Sequence, residues 1–95
     1  MIKMDAKLQD QEIPALAPPF RFQWEEAQDC YVLLYPEGMV KLSGSAGEIM
    51  KRCDGKKTVS DIINELNVQF PGADLGKDVK NFFKQAINNG WIRIT

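Results

Sequence analysis

Residues 31–55, YVLLYPEGMVKLSGSAGEIMKRCDG, decide how the rest of the chain is read. Tyr31–Tyr35 is a β-prone apolar run, Pro36-Glu37-Gly38 is a turn, and Met39–Leu42 is a second short run, so the first half is a β-hairpin. Pro36 suits position i+1 of a type I turn, and Gly38 is expected to take the positive φ of a bulge closing the loop. The chain then passes straight into a helix. Ser45 is expected to cap it, with Glu48 three residues on reaching back to the cap's backbone N–H, and Gly55 supplies the left-handed stop. A strand that hands directly into a helix leaves a groove beside it. That groove is the first candidate for function.

Toward the N-terminus, Phe20, Phe22 and Trp24 alternate with Arg21, Gln23 and Glu25. This is a strand with one aromatic face, and Pro18-Pro19 ahead of it suits a sheet edge. Glu25–Asp29 is a polar connection. Tyr31–Tyr35 is apolar on both faces, as the central strand of three should be, which puts Met39–Leu42 on the far edge of a meander. Residues 1–17 mix charges, Gln and Pro without a steady period. They read as a flexible N-terminal arm, of which 1–13 should be dispensable for folding, ahead of a folded domain at 18–95.

Toward the C-terminus, Thr58 can cap a second helix with Asp61 in its first turn, carrying a stripe of Val59, Ile62, Ile63, Leu66 and the more distal Phe70. Pro71-Gly72 breaks the chain. Asp74 then caps a third helix with Leu75, Val79, Phe82, Phe83, Ala86 and Ile87 at helical spacing, while Lys77, Lys80 and Lys84 fall on other faces. Asn89-Gly90 ends it, and Trp91–Ile94 alternates like a last short strand. The fold class expected is α+β: a three-stranded antiparallel sheet followed by three helices.

Length and composition limit what such a domain does. Ninety-five residues hold one hydrophobic core. At 44% hydrophobic and 26% charged, the composition is that of a soluble globular chain. Its apolar runs are too short to span a bilayer, and the acids Asp5, Asp10 and Glu12 rule against a signal peptide at 1–20. Cys30 and Cys53 are therefore expected to be reduced thiols in the cytoplasm. Residues 1–37 hold seven acids against three bases, whereas 38–95 hold nine bases against six acids, so the helical half is mildly cationic.

Histidine is absent, which removes Ser-His-Asp and Cys-His nucleophilic sites and the commonest metal ligand. The two cysteines have no zinc spacing, and no cofactor or metal site is read. The glycines of SGSAG lack the GxxxxGK[ST] phosphate-loop signature and mark a strand-to-helix turn instead. Glu25/Glu26 and Asp61/Glu65 read as solvated acids, and Lys51, Arg52, Lys56 and Lys57 as a solvated helix end or a contact for phosphates or an acidic partner. Adjacent side chains on a helix point about 100° apart, so of Phe82 and Phe83 one is free to line a groove. An enzyme is not expected.

The runs LLYPEGMVKL, SAGEI, CDGKKTV, FPGADL and NNGWI together resemble the pyrroloquinoline quinone (PQQ) biosynthesis protein D (PqqD) family over residues 14–92. Ser43 stands where that family often has Asn, a change that keeps the capping chemistry. The resemblance implies a winged helix-turn-helix-like precursor-peptide recognition element. Such a domain is a peptide chaperone that takes the precursor PqqA as an added strand and presents it to the radical S-adenosylmethionine enzyme PqqE. Carried onto this chain, the peptide-binding residues would be Met39, Val40, Lys41 and Leu42 together with Val79, Lys80, Phe83 and Ala86. The residues themselves agree on one point: a short apolar edge guarded only by Lys41 offers unpaired backbone groups. The cationic half would favour an acidic peptide. Two other readings stay open, a winged-helix DNA-binding protein and a homodimerisation module that exchanges strands. A pI near 5.3, Asp78 in the would-be recognition helix and the lack of arginine there speak against nucleic acid.

Overall fold

The computed structural model of the chain describes residues 9–72 and 75–95. In chain order its elements are β1 (Pro14–Leu16), β2 (Arg21–Glu25), β3 (Cys30–Tyr35), β4 (Gly38–Lys41), α1 (Gly44–Lys51), α2 (Val59–Gln69), α3 (Gly76–Asn88) and β5 (Ile92–Ile94). The expected meander is present as an antiparallel sheet in the order β2-β3-β4, with the apolar β3 in the centre. Leu33 sits between Phe22 and Val40 in the register, and these three share the face that packs on the helices. Tyr35 pairs directly with Gly38, so the hairpin loop is Pro36-Glu37 alone. The bulge expected at Gly38 is thereby corrected: the glycine already belongs to the ladder and has no positive φ.

α1 begins two residues earlier than its sequence signature placed it. Ser43, not Ser45, is the N-cap, and its Oγ accepts from the Ala46 N–H at 3.2 Å. Glu48 does not reach back to the cap; it turns to Arg52 one helical turn on. Gly47 falls inside the helix against Tyr31, where an added Cβ would lie 2.9 Å from the ring. Gly47 is thus a close-packing residue between α1 and the sheet. Around that contact Tyr31 stacks on Phe22 at 4.7 Å and meets Trp24 edge-on at 5.0 Å.

The cap of α2 is as the sequence reads. The Thr58 Oγ1 accepts from the Asp61 N–H, and the Asp61 carboxylate accepts from the Thr58 N–H. Val59, Ile62 and Leu66 enter the core with Leu33, Leu42, Ile49, Met50, Cys53, Val79, Phe83, Ala86 and Ile92, while Phe70 stays 43% exposed. Arg52 fastens α1 to α2. Its guanidinium donates to the Glu48 carbonyl and carboxylate, to Glu65 at 3.0 Å and to the Gln69 side chain. Lys57 lies 3.4 Å from the same Glu65, so half of the supposed basic patch is spent on internal ion pairs. The Asp74 cap expected for α3 lies outside the described residues; the N-cap position is Leu75.

The flexible arm is corrected over residues 9–17. β1 pairs antiparallel with β5, Pro14 opposite Ile94, to make a second, two-stranded sheet. The Glu12 and Asp10 carbonyls accept from the Val59 and Ser60 N–H groups, each at 2.9 Å. Those are the first amides of α2, which no helical carbonyl can reach. Lys80 adds an ion pair to Asp10 at 2.9 Å, and Pro14 is fully buried. A segment without a periodic apolar face is held here by backbone pairing, which needs no side-chain pattern to announce it. Residues 1–8 of the expected arm lie outside the described residues.

Candidate functional site

Among the described residues β4 is an edge strand whose backbone has one partner, β3. The Leu42 N–H donates to the Tyr31 carbonyl at 3.0 Å, which fixes the phase of the ladder. Along an antiparallel pair, bonded and non-bonded positions alternate. In this register Val40 therefore turns its N–H and C=O toward Leu33, and Met39 and Lys41 turn theirs away from the sheet. Their side chains lie on the face opposite Val40. Met39 is 41% exposed and Lys41 is exposed, whereas Val40 is half-buried and Leu42 buried. Of the four strand residues named from the sequence, Met39 and Lys41 thus hold the free backbone groups, and Val40 and Leu42 are structural.

Where β4 hands over to α1 a cleft of about 740 Å3 opens. Ser43 and Ala46 line it from the start of α1, Leu66 and Phe70 from the far end of α2, and Leu75, Asp78, Val79 and Phe82 from α3. The α3 residues named from the sequence divide differently. Val79 reaches the cleft wall but is 1% exposed, and Phe83 and Ala86 are fully buried in the core, so neither of these two presents a contact surface. Lys80 is turned to Asp10. Of the adjacent phenylalanines, Phe82 is the one that lines the groove, half-buried and 6.3 Å from the Trp91 ring. The spacing held this signal. Val79, Phe83 and Ala86 form an i, i+4, i+7 core stripe, which leaves Leu75, Asp78 and Phe82 as a neighbouring stripe of the same helix.

Among the described residues, the charged side chains on the cleft wall are Glu48 and Asp78, both acids. The hydrogen bond from Arg52 holds the Glu48 carboxyl below the usual carboxylate range. Apart from Lys41 on the adjoining β4 edge, the lysines that make the second half of the chain cationic stand off this site, so the overall charge asymmetry does not describe the cleft wall. Among the described residues no group of three or more Cys, Asp or Glu side chains is placed to hold a metal ion. Cys53 is buried and its thiol is pushed up to about 12, first by burial and then by Asp54, so it is no nucleophile.

The chain thus sets an edge strand beside an apolar cleft, on a small sheet backed by three helices. Comparison with known proteins gives its family. The family model for coenzyme PQQ synthesis protein D (PqqD) matches residues 30–92, and the chain belongs to that family. A PqqA binding protein of Acinetobacter baylyi is 52% identical over 80 residues, covering 83% of this chain and 81% of the relative. One from Methylococcus capsulatus is 42% identical over 86 residues, covering 90% and 92%. The fold is shared with the solution structure of the PqqD part of Methylobacterium extorquens PqqCD, a stand-alone recognition element for ribosomally synthesised and post-translationally modified peptides. The TM-score is 0.75 at 22% identity, over 92% of this chain and 95% of that one.

Proposed function

We propose that this protein is a non-catalytic peptide chaperone of PQQ biosynthesis. It binds the precursor PqqA as a strand added to β4 and presents it to the radical enzyme PqqE, in the cytoplasm. Its curated relatives are named for binding PqqA. The observation that carries the reading is the outward-facing backbone of Met39 and Lys41 beside the cleft. An added strand takes main-chain hydrogen bonds from that edge and sends alternate side chains into the cleft. The contact set is accordingly Met39, Lys41, Ser43, Ala46, Leu75 and Phe82, in place of the buried Phe83 and Ala86.

Lys41→Pro is the test. The Lys41 N–H faces away from β3, so proline leaves the hairpin ladder intact while deleting one outward donor and setting a ring against the incoming strand. Affinity for a PqqA peptide should fall about tenfold or more, the scale of one backbone hydrogen bond. Unchanged affinity in a folded variant would rule out strand addition at β4. Titration with duplex DNA should give no saturable shift, and saturable DNA binding would favour the winged-helix alternative.

A further inference from the structure

We infer that the peptide segment seated in this cleft carries a bulky apolar side chain with a lysine or arginine beside it, the base lying opposite Asp78. This rests on the strand-addition reading above and deepens it. The walls offered by Leu75, Phe82 and Phe70 are apolar, and the volume, about 740 Å3, exceeds what one large side chain fills. The two charges that the described residues place on the walls are carboxylates. Glu48 is offset by Arg52 at 3.0 Å. Asp78 is exposed, and no base among the described residues is within ion-pair distance of it.

The bases of α3 do not supply that counter-charge. Lys80 holds Asp10 at 2.9 Å, and neither Lys77 nor Lys84 lines the cleft. A carboxylate entering beside Asp78 would meet like charge, whereas an ammonium or guanidinium would gain a partner. Screening over about 8–10 Å lets the nearest charges, and not the net charge of the chain half, decide the preference. The ligand chemistry that fits is therefore apolar and basic, the reverse of the acidic peptide favoured by the charge tally of residues 38–95.

The experiment is calorimetric titration of the full chain with synthetic PqqA and with PqqA variants in which each lysine or arginine becomes glutamate in turn. At low salt Asp78→Lys should weaken binding of unaltered PqqA about twofold to fivefold, the range of an exposed charge pair. The loss should shrink in about 0.5 M salt. One glutamate variant that binds the wild-type chain poorly should be partly recovered by Asp78→Lys. Equal or tighter binding of unaltered PqqA by Asp78→Lys would overturn the inference. Phe82→Ala and the milder Leu75→Ala, each checked for folding, separate the two levels. If they weaken binding while Asp78→Lys does not, the charge assignment alone fails. If neither affects binding, the cleft is not the site and the inference fails, while strand addition at β4 is decided separately by Lys41→Pro.

Discussion

Gly47 sets how closely α1 approaches the sheet, and its replacement gives a prediction with competing signs. Helix propensity favours Gly47→Ala by about 1 kcal/mol. The new methyl carbon would stand 2.9 Å from the Tyr31 ring and 3.3 Å from its Cβ. Overpacking of that kind costs about 1–3 kcal/mol. Tyr31 is itself held between Phe22 and Trp24, so it has little freedom to withdraw. The clash should win, and urea denaturation should show a loss of up to about 2 kcal/mol; a gain in stability would contradict the packing described. Cys53 gives a second residue-scale test. A thiol whose value is raised on folding stabilises fully below its ordinary value of 9.0 and loses that contribution as pH rises toward about 12. Cys53 should resist thiol reagents at pH 8 until the chain unfolds, while the half-buried Cys30 reacts first. Equal rates for the two would refute the burial.

Between elements, Arg52 is the main polar fastening of α1 to α2. Arg52→Met keeps the apolar stem and removes the bonds to Glu48, Glu65 and Gln69. The cost should be about 1–2 kcal/mol at neutral pH, given that the Glu65 side is half open to solvent. Glu48 has its carboxyl lowered from 4.5 mainly by this arginine, so its contribution is present above that value and lost as pH falls through the lowered one. The stability difference between wild type and Arg52→Met should therefore narrow in acid. A constant difference down to pH 3 would show that Arg52 does not act through Glu48. The segment ahead of β2 supplies the other element-scale prediction. Deleting residues 1–16 removes β1, the buried Pro14 and the carbonyls that satisfy Val59 and Ser60. Unfolding should become easier by more than about 2 kcal/mol, the scale of a severe lesion. Only a small change would restore the view of this segment as dispensable.

The same elements show what was legible in the sequence. The meander could be read because its strands alternate or run apolar, and Thr58 with Asp61 is a cap written in side chains. β1 could not, because Pro14–Leu16 is held by backbone bonds to a strand at the other end of the chain. Ser43 and Ser45 are equally good caps as residues, and only the end of the β4 ladder selects the former. On α3 the choice between Phe82 and Phe83 lay in the phase of the core stripe.

At the scale of the molecule, an open sheet edge, an apolar cleft and a local acidic charge lie side by side, and together they are the proposed peptide-binding surface. Net charge misleads about that surface because the cations are engaged elsewhere or stand off the cleft. The most direct test is amide hydrogen exchange on the isotope-labelled chain, with and without PqqA. Free protein should exchange the outward N–H groups of Met39 and Lys41 quickly while Val40, bonded to β3, is protected. Saturating peptide should protect Met39 and Lys41 and shift the amides of Leu75, Asp78 and Phe82. The opposite edge is the built-in control, since the β2 register turns the backbone groups of Phe22 and Trp24 outward there. Protection appearing at Phe22 and Trp24, with Met39 and Lys41 still exchanging freely, would contradict strand addition at β4.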